Sequence, residues 1–309
     1  MVPPSKQNRG ALLALFFTIL LLTVTSWNLY YDFPTAIIAQ SNSSVHNLVP
    51  TNQQDLSALR AAAILETRPL ENLIPLILHF SVILGPGWPI HVFTSLANTE
   101  AFHNSSALTR LVRSGGVVLR ELPKGVPDDF AFHETYKFSS FLTQNWFWEH
   151  MAPAMYVLLF SADSILCSRA DKSLDDFLGY DLIIPQTVEG RYVRSGMSLR
   201  KRETMLKLIK ELDWNAERLG NTDLEEKRKV NSEALWVWRK LQEDSESGDK
   251  KVKLPTKGLM SSYAMNDVWE DRPIGYAHVK NQHDRLDEIM RWCPEYSLAM
   301  TDEQRDDQE

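Results

Sequence analysis

The stretch that decides the fold begins with AAAILE at Ala61–Glu66, continues with IHVFT at Ile90–Thr94 and reaches VVLREL at Val117–Leu122. These short apolar runs have the length and composition of buried β-strands. The longer segments between them, 70–84 and 98–113, are predicted to be helices. The resulting βαβαβ order predicts an α/β fold with a mostly parallel sheet and helices on both faces. Ligands of such sheets bind beyond the carboxyl ends of the strands, so functional residues are expected there.

The rest of the chain continues the alternation. The run YVLLF at Tyr156–Phe160 is the most strand-like in the chain, and it ends directly at Ser161-Ala162-Asp163-Ser164. The segment Gln242–Lys253 is poor in hydrophobic residues and predicts a mobile loop. The remaining predicted elements are a helix at 136–150, a strand at 181–185, helices at 201–212 and 231–241, and an ordered segment at 276–279.

Charge and cysteine content exclude two classes of protein. The 309 residues carry 40 acidic and 33 basic side chains, a net charge of -7, and no long Lys/Arg run, so the electrostatic pattern of nucleic-acid binding is missing. Two cysteines, Cys167 and Cys293, are too few for a disulfide-built scaffold. A single bridge between them is possible in a secretory lumen, but we favour two buried thiols because packing alone explains them.

An apolar segment near the N-terminus predicts a membrane anchor. No charged residue lies between Gly10 and Tyr31, and about 20 helical residues span a hydrocarbon core of roughly 30 Å. Lys6 and Arg9 precede this segment and Asp32 follows it, which favours a cytosolic N-terminus and a type II orientation. A cleaved signal peptide is the alternative, although no convincing cleavage site follows the apolar run.

The anchor divides the chain into five predicted segments. They are a cytosolic tail at 1–10, a transmembrane signal-anchor at 11–31, a stem at 32–57, a luminal domain at 58–300 and an acidic tail at 301–309. Glycosylation sequons at Asn42 and Asn104 both lie on the predicted luminal side. Because the chain ends without an ER-retrieval motif, we expect a Golgi or other secretory-pathway membrane.

Asp163 is the first candidate for chemistry. A carboxylate at the end of a buried strand can hold a divalent cation, and a cation neutralises a diphosphate leaving group. Position alone does not establish this role, since a strand-end Asp is more often part of a turn or a helix cap.

Six motifs in order resemble a known family. They are AxxxETRPL from Ala61, GPGWPIHVF, YKFSSFLTQNWFWEHMAP, LLFSADSILC, SGMSLRKR and RPIGYAHV. Over roughly 61–280 the chain resembles a largely uncharacterised, fungal-rich family of glycosyltransferase-like proteins, domain of unknown function 5672. The resemblance implies a GT-A-type nucleotide-diphospho-sugar transferase fold.

The resemblance also implies a metal site. In the GT-A fold an Asp-x-Asp-like motif binds manganese and the donor diphosphate; here it is Ser161-Ala162-Asp163, with only the final carboxylate present. Asp163 therefore inherits the metal role, and His278 in GYAHV matches a histidine that completes such sites with Mn²⁺ or Mg²⁺. For His278 the alternative is a half-buried histidine bonded to a backbone carbonyl.

Three further residues are implied to contact the donor. Glu66 and Arg68 close the first strand, where this fold meets the nucleotide, and their alternative is a surface ion pair. Lys137 resembles a lysine that steadies the donor in related transferases; its alternative is an ordinary exposed helix lysine.

The chain departs from the family pattern in two more places. Gly196 lies in a segment that resembles the family's Asn-Gly-Gly, whose small residues admit the donor sugar, but Arg194 stands at the Asn position. Glu233 is the remaining member of the family's Glu-Asp pair, since Ala234 replaces the Asp. Glu233 is thus the only candidate there for a catalytic base or an acceptor-binding carboxylate, against the alternative of a helix-surface glutamate.

These features predict a type II membrane glycosyltransferase. It would transfer a sugar from a nucleotide-sugar donor to a glycan or glycoprotein acceptor with metal assistance. Ala162, Arg194 and Ala234 keep open a non-catalytic paralogue that binds a glycan or a partner enzyme. A phosphotransferase or hydrolase acting on a diphosphate-linked substrate is a further alternative, because the same cation site would serve it.

Overall fold

The computed structural model describes residues 59–186, 196–221, 223, 230, 232–247, 252–279 and 285–300. The strands are β1 Arg60–Leu65, β2 Ile90–Phe93, β3 Val117–Arg120, β4 Tyr156–Phe160, β5 Ile165–Leu166, β6 Leu182–Ile183, β7 Met197–Lys201 and β8 Gly275–Tyr276. The helices are α1 Leu73–Leu84, α2 Leu96–Asn104, α3 Ser106–Ser114, α4 Thr135–Leu142, α5 Asn145–His150, α6 Arg202–Glu211, α7 Trp214–Gly220, α8 Glu233–Glu246, α9 Lys257–Tyr263 and α10 Leu286–Trp292. Two 3₁₀ helices span Leu174–Phe177 and Pro294–Ala299.

The predicted membrane anchor, the stem and the sequon at Asn42 lie outside the described residues, as does the acidic tail. None of the helices that the structure describes is long and apolar enough to cross a membrane. The second sequon is described, and its Asn104 is exposed at the last residue of α2.

Six strands form one sheet in the order β3-β2-β1-β4-β7-β6. The first four strands of that order are parallel, whereas β7 runs antiparallel to both of its neighbours. This arrangement confirms the prediction of an α/β fold with a mostly parallel sheet. The chain order reverses at β1, which lies between β2 and β4, and places the expected binding crevice at the carboxyl ends of β1 and β4.

Helices cover both faces of the sheet because its central strands are apolar on both sides. In β4, Leu158 and Phe160 pack into a cluster with α1, where Phe80 stacks on Phe160 at 3.9 Å between ring centroids. The alternate residues Val157 and Leu159 join a second cluster on the opposite face, which contains α5 and α8. A strand buried on both faces reads as a continuous apolar run, as YVLLF does.

Two predicted helices are each divided in the structure. The segment 98–113 forms α2 and α3, because the Ser105 hydroxyl accepts a hydrogen bond from the Leu108 amide and starts a new helix. The segment 136–150 forms α4 and α5, which are separated where the backbone becomes extended at Gln144. The Trp148 indole donates to the Leu142 carbonyl at 2.7 Å and so satisfies one of the acceptors left at the end of α4.

Two other assignments need correction. The sequence pattern predicts no strand at 196–199, but Met197–Lys201 form β7. The polar side chains at its buried positions hide the apolar pattern of a strand. The predicted loop at 242–253 is wrong for its first residues, since α8 continues to Glu246. Its polar residues lie on the exposed face of the helix, where an Arg239–Glu243 pair four residues apart supports it.

The preference for two buried thiols is also wrong. Cys167, directly after β5, and Cys293, directly after α10, form a disulfide with 4.9 Å between their Cα atoms. Both residues are buried, as thiols would be, so burial did not distinguish the two states. Their pairing depends on a contact between segments 126 residues apart, which the sequence does not show.

Candidate functional site

Polar residues from three strands meet at one edge of the sheet. The carboxyl ends of β1 and β4 lie side by side, and the antiparallel β7 brings its first residue to the same edge. The Ser161 amide donates to the Gly196 carbonyl at 2.9 Å, so the loop after β4 is joined to the start of β7. The edge therefore contains both Asp163, which follows β4, and Gly196, which precedes β7.

Asp163 and His278 form the centre of the site. The imidazole Nδ1 lies 2.9 Å from Asp163 Oδ2, although 115 residues separate the two in the chain. The other carboxylate oxygen of Asp163 accepts from the Ser161 hydroxyl at 2.5 Å. The side chains of Asp163 and His278 are 15% and 8% exposed, so the pair is enclosed but not closed to solvent.

The backbone holds His278 in an unusual conformation. Its φ of 57° is in the left-handed region, which residues other than glycine rarely adopt. The amides on either side are both bonded: Ala277 donates to Met265 O at 2.9 Å, and Val279 donates to Asp163 O at 3.0 Å. Strain of this kind persists only where the surroundings fix it, and it concentrates at functional sites.

Gly196 makes room for the imidazole. A Cβ on Gly196 would lie 2.5 Å from His278 Cε1, 2.7 Å from Nε2 and 3.1 Å from Ser161 Oγ. The absence of a side chain thus allows the close approach of β7 to His278. The family resemblance implies a small residue here for access of the donor sugar, which remains a prediction; the contact with His278 is a separate reason for the glycine.

Glu66 and Arg68 lie at the end of β1 on the same edge. Two hydrogen bonds, of 2.9 and 2.6 Å, join the guanidinium to a carboxylate that is only 3% exposed as a residue. The pKa of Arg68 is raised by its hydrogen bond to Glu66, against the lowering effect of burial, and further by the charges of Glu66 and Asp163. The Arg68 charge therefore acts at Asp163, and its side chain remains 41% exposed.

Residues that the sequence did not single out fix the turn at Glu66–Arg68, after β1. The Asn98 amide donates to Arg68 O and to Thr94 Oγ1, both at 2.9 Å, and the Thr94 hydroxyl donates to Glu66 O at 2.7 Å. The Asn and the Thr belong to the segment after β2, the neighbouring strand. The sequence placed Thr94 at the last position of a predicted strand and Asn98 at the first position of a predicted helix, and neither position marked it as part of a site.

Lys137 is an exposed lysine on α4. It pairs with Glu134 at 3.0 Å, and within the described residues no contact joins it to Asp163 or His278. Its contact with a donor remains a prediction.

Glu233 is not a helix-surface residue. It is buried at the first position of α8 and forms an ion pair with Arg200 of β7, each side chain being 1% exposed. Arg200 also donates to Ser198 Oγ at 2.9 Å, and the Glu233 amide donates to Ser139 Oγ at 3.1 Å. The structure places this carboxylate between a strand and a helix, away from solvent. Its role as a base remains a prediction.

Of the two positions at which the chain departs from the family pattern, Ala234 and Arg194, the structure describes only the first. Ala234 is completely buried, so the position of the missing Asp is filled by core packing. Arg194 lies outside the described residues.

The side chains present fit a divalent cation that is shared with a substrate. The described residues contain no group of three or more His, Cys, Asp or Glu side chains arranged for a metal. Asp163 and His278 offer one carboxylate and one imidazole within 2.9 Å. Mg²⁺ characteristically binds through one or two carboxylates together with substrate phosphates, and imidazole suits Mn²⁺.

A family model matches residues 123–277, about half of the chain, and its description is "Protein of unknown function (DUF5672)". The match includes Lys137, Asp163, Gly196 and Glu233 and ends directly before His278. No curated protein matches the chain in a sequence comparison.

Several solved structures align with most of this chain at low sequence identity. The apo form of the glycosyltransferase GlyE from Streptococcus pneumoniae TIGR4 is 14% identical with a TM-score of 0.45, over 79% of this chain and 60% of GlyE. The galactosyltransferase LgtC, in complex with donor and acceptor sugar analogues, is 12% identical with a TM-score of 0.42, over 80% and 99%. The mannosyltransferase PcManGT from Pyrobaculum calidifontis, in complex with GDP-Man and Mn²⁺, is 12% identical with a TM-score of 0.39, over 75% and 60%.

Proposed function

We propose that this chain, which belongs to the family described as a protein of unknown function, DUF5672, is a member with glycosyltransferase activity. It transfers a sugar from a nucleotide-sugar donor to a glycan or glycoprotein acceptor. The observation that carries the proposal is the Asp163–His278 pair at the carboxyl edge of the sheet, within the electrostatic reach of Arg68.

Asp163 and His278 are the residues that would hold Mn²⁺ or Mg²⁺. When bound, the cation supplies the positive charge that stabilises a departing nucleoside diphosphate. The Ser161 hydroxyl holds one Asp163 oxygen, and the Asp163 contact fixes the ring of His278, so both side chains are oriented in advance.

Arg68 is the residue that would bind a donor phosphate. Its guanidinium is partly exposed, and Glu66, Asn98 and Thr94 hold the turn that carries it. A guanidinium presents a rigid fork of N–H donors to phosphate oxygens. Glu66 is mostly buried, so it orients Arg68 rather than presenting a carboxylate to the donor.

Topology and location belong to the same proposal. A signal-anchor at 11–31 would place the unit in the lumen of the Golgi or of another secretory compartment, where nucleotide-sugar transferases meet glycan acceptors. The exposed Asn104 in a sequon and the Cys167–Cys293 disulfide are compatible with a lumen.

The test is release of nucleoside diphosphate from a panel of nucleotide sugars by the purified full-length chain in detergent. We expect manganese-dependent release from one donor, and faster release when a glycan acceptor is added. Acceptor-independent cleavage of the donor diphosphate by water, which gives a sugar 1-phosphate and a nucleoside monophosphate, would favour the hydrolase alternative. A folded chain that binds the manganese complex of a nucleoside diphosphate but cleaves no donor would favour the non-catalytic alternative, to which the buried Ala234 points.

A further inference from the structure

The last described segment of the chain contacts both halves of the candidate site. The 3₁₀ helix Pro294–Ala299 and the preceding Cys293, here called the C-terminal brace, follow α10 and pack into the cluster on the α1 face of the sheet. Three separate connections join the brace to the strands and loops that carry Asp163 and His278.

The first connection is made by Tyr296. Its ring is 1% exposed and meets the Tyr276 ring edge-on, with 5.4 Å between centroids. Its hydroxyl donates to the carbonyl oxygen of Val279 at 2.5 Å. Val279 follows His278 directly, and its amide is the group that donates to Asp163 O. Tyr296 therefore contacts the same residue, Val279, whose amide joins the His278 loop to the backbone at Asp163.

The second connection is made by Asn72, directly before α1. Its side-chain amide donates to Leu298 O of the brace at 3.0 Å and to Ala162 O at 3.2 Å. Ala162 precedes Asp163, so the same brace that reaches the His278 loop also reaches the Asp163 loop. Asn72 is buried, which strengthens hydrogen bonds relative to those in water.

The third connection is covalent. Cys293 is bonded to Cys167, and the Cys167 amide donates to Ile274 O at 2.9 Å, next to the strand that leads to His278. The brace is thus fixed at its beginning by the disulfide, in its middle by Tyr296 and near its end by Leu298.

We infer that the C-terminal brace sets the separation of Asp163 and His278, and that Tyr296 is a positioning residue of the site. The inference rests on the proposed function only for its consequence, which is metal affinity. Removing the Tyr296 hydroxyl frees the Val279 carbonyl and so loosens the left-handed backbone at His278. The ring packing, and with it most of the stability, is retained.

The experiment compares Tyr296→Phe with Tyr276→Phe in the purified full-length chain. The two tyrosines are buried neighbours, but the Tyr276 hydroxyl has no hydrogen-bond partner among the described residues, so the same change there removes no such contact. Hydrogen–deuterium exchange is followed in peptides covering 275–279 and 161–166. Manganese affinity is measured separately by electron paramagnetic resonance of the free ion.

For Tyr296→Phe we expect exchange in 275–279 to accelerate and manganese affinity to fall about three- to tenfold, the equivalent of one lost hydrogen bond. Tyr276→Phe is expected to match the wild type in both. Unchanged exchange in Tyr296→Phe, or equal effects of the two variants, would overturn the brace. Faster exchange with unchanged affinity would overturn the positioning role. A wild-type chain that binds no manganese would remove the metal from the proposed function, and the exchange data would still decide whether the brace exists.

Discussion

Two acid–base pairs lie near the junction of β4 and β7, and they differ in their access to solvent. Asp163 and His278 meet beyond the strand ends with side chains 15% and 8% exposed, whereas Arg200 and Glu233 are each 1% exposed between β7 and α8. The charge of Asp163 raises the pKa of the partly exposed Arg68, and His278 has a left-handed backbone conformation. The second is bonded to Ser198 and Ser139, which belong to a strand and a helix. The accessible pair therefore has the features of a binding site, and the enclosed pair those of a structural ion pair.

Glu233→Gln tests whether the enclosed pair is structural, and it has the largest expected effect. Loss of the carboxylate leaves Arg200 as an uncompensated buried charge, and breaking such a pair typically costs about 3–5 kcal/mol of unfolding free energy. Urea unfolding followed by tryptophan fluorescence measures the loss. Glu243→Gln, which removes an exposed carboxylate on the same helix, should change stability by less than about 0.5 kcal/mol. If Glu233→Gln keeps full stability but loses turnover, the carboxylate is catalytic and the comparison is wrong.

The disulfide Cys167–Cys293 fixes the start of the C-terminal brace, which contacts the loops that carry the accessible pair. In Cys167→Ser/Cys293→Ser the loop of 126 residues is no longer closed, and native disulfides of this kind contribute about 2–5 kcal/mol. Urea unfolding of the double variant should show a loss in this range. The oxidised and reduced wild type serve as reference states. A loss below about 1 kcal/mol would mean that packing alone holds Cys293 and the brace in place.

Gly196→Ala changes the accessible pair with the smallest perturbation. The added Cβ would lie 2.5 Å from His278 Cε1, so the ring must move away from its position beside Asp163. Manganese affinity should fall about tenfold, which corresponds to about 1.4 kcal/mol. The matched control is Gly116→Ala, whose nearest neighbour would lie at an ordinary 3.6 Å. Equal affinities in the two variants would show that His278 does not bind the ion.

Much of the fold and part of the site followed from the sequence. The strands β1 to β4 are short runs made mostly of apolar residues, so their approximate positions along the chain and the position of Asp163 after β4 could be predicted. The strand β7 could not, because Ser198 and Arg200 place polar atoms at buried positions and interrupt the pattern. The breaks at Ser105 and Gln144 depend on single side-chain contacts and local backbone geometry, which periodicity does not show.

Some candidate site residues could be identified from their position in the sequence, and others depend on contacts that the sequence does not show. Asp163 follows a strand and could be found by position, and His278 was found by resemblance. The ion pair of Glu233 could not be predicted, since its partner lies 33 residues earlier in a strand that the sequence did not indicate. Asn72 and Tyr296 act through backbone carbonyls of distant loops, and no local pattern marks such contacts.

The most direct measurement is binding of manganese with a nucleoside diphosphate to the full-length chain, compared between the wild type, Asp163→Asn and Asp171→Asn. Asp171 is an exposed carboxylate and serves as the matched control. The account predicts that Asp163→Asn loses manganese-dependent nucleotide binding at least about tenfold, or about 1.4 kcal/mol, while its urea unfolding curve stays with that of the wild type. Asp171→Asn should bind as the wild type does. Retained binding in Asp163→Asn, with the fold intact, would contradict the assignment of the Asp163–His278 pair as the metal and donor site.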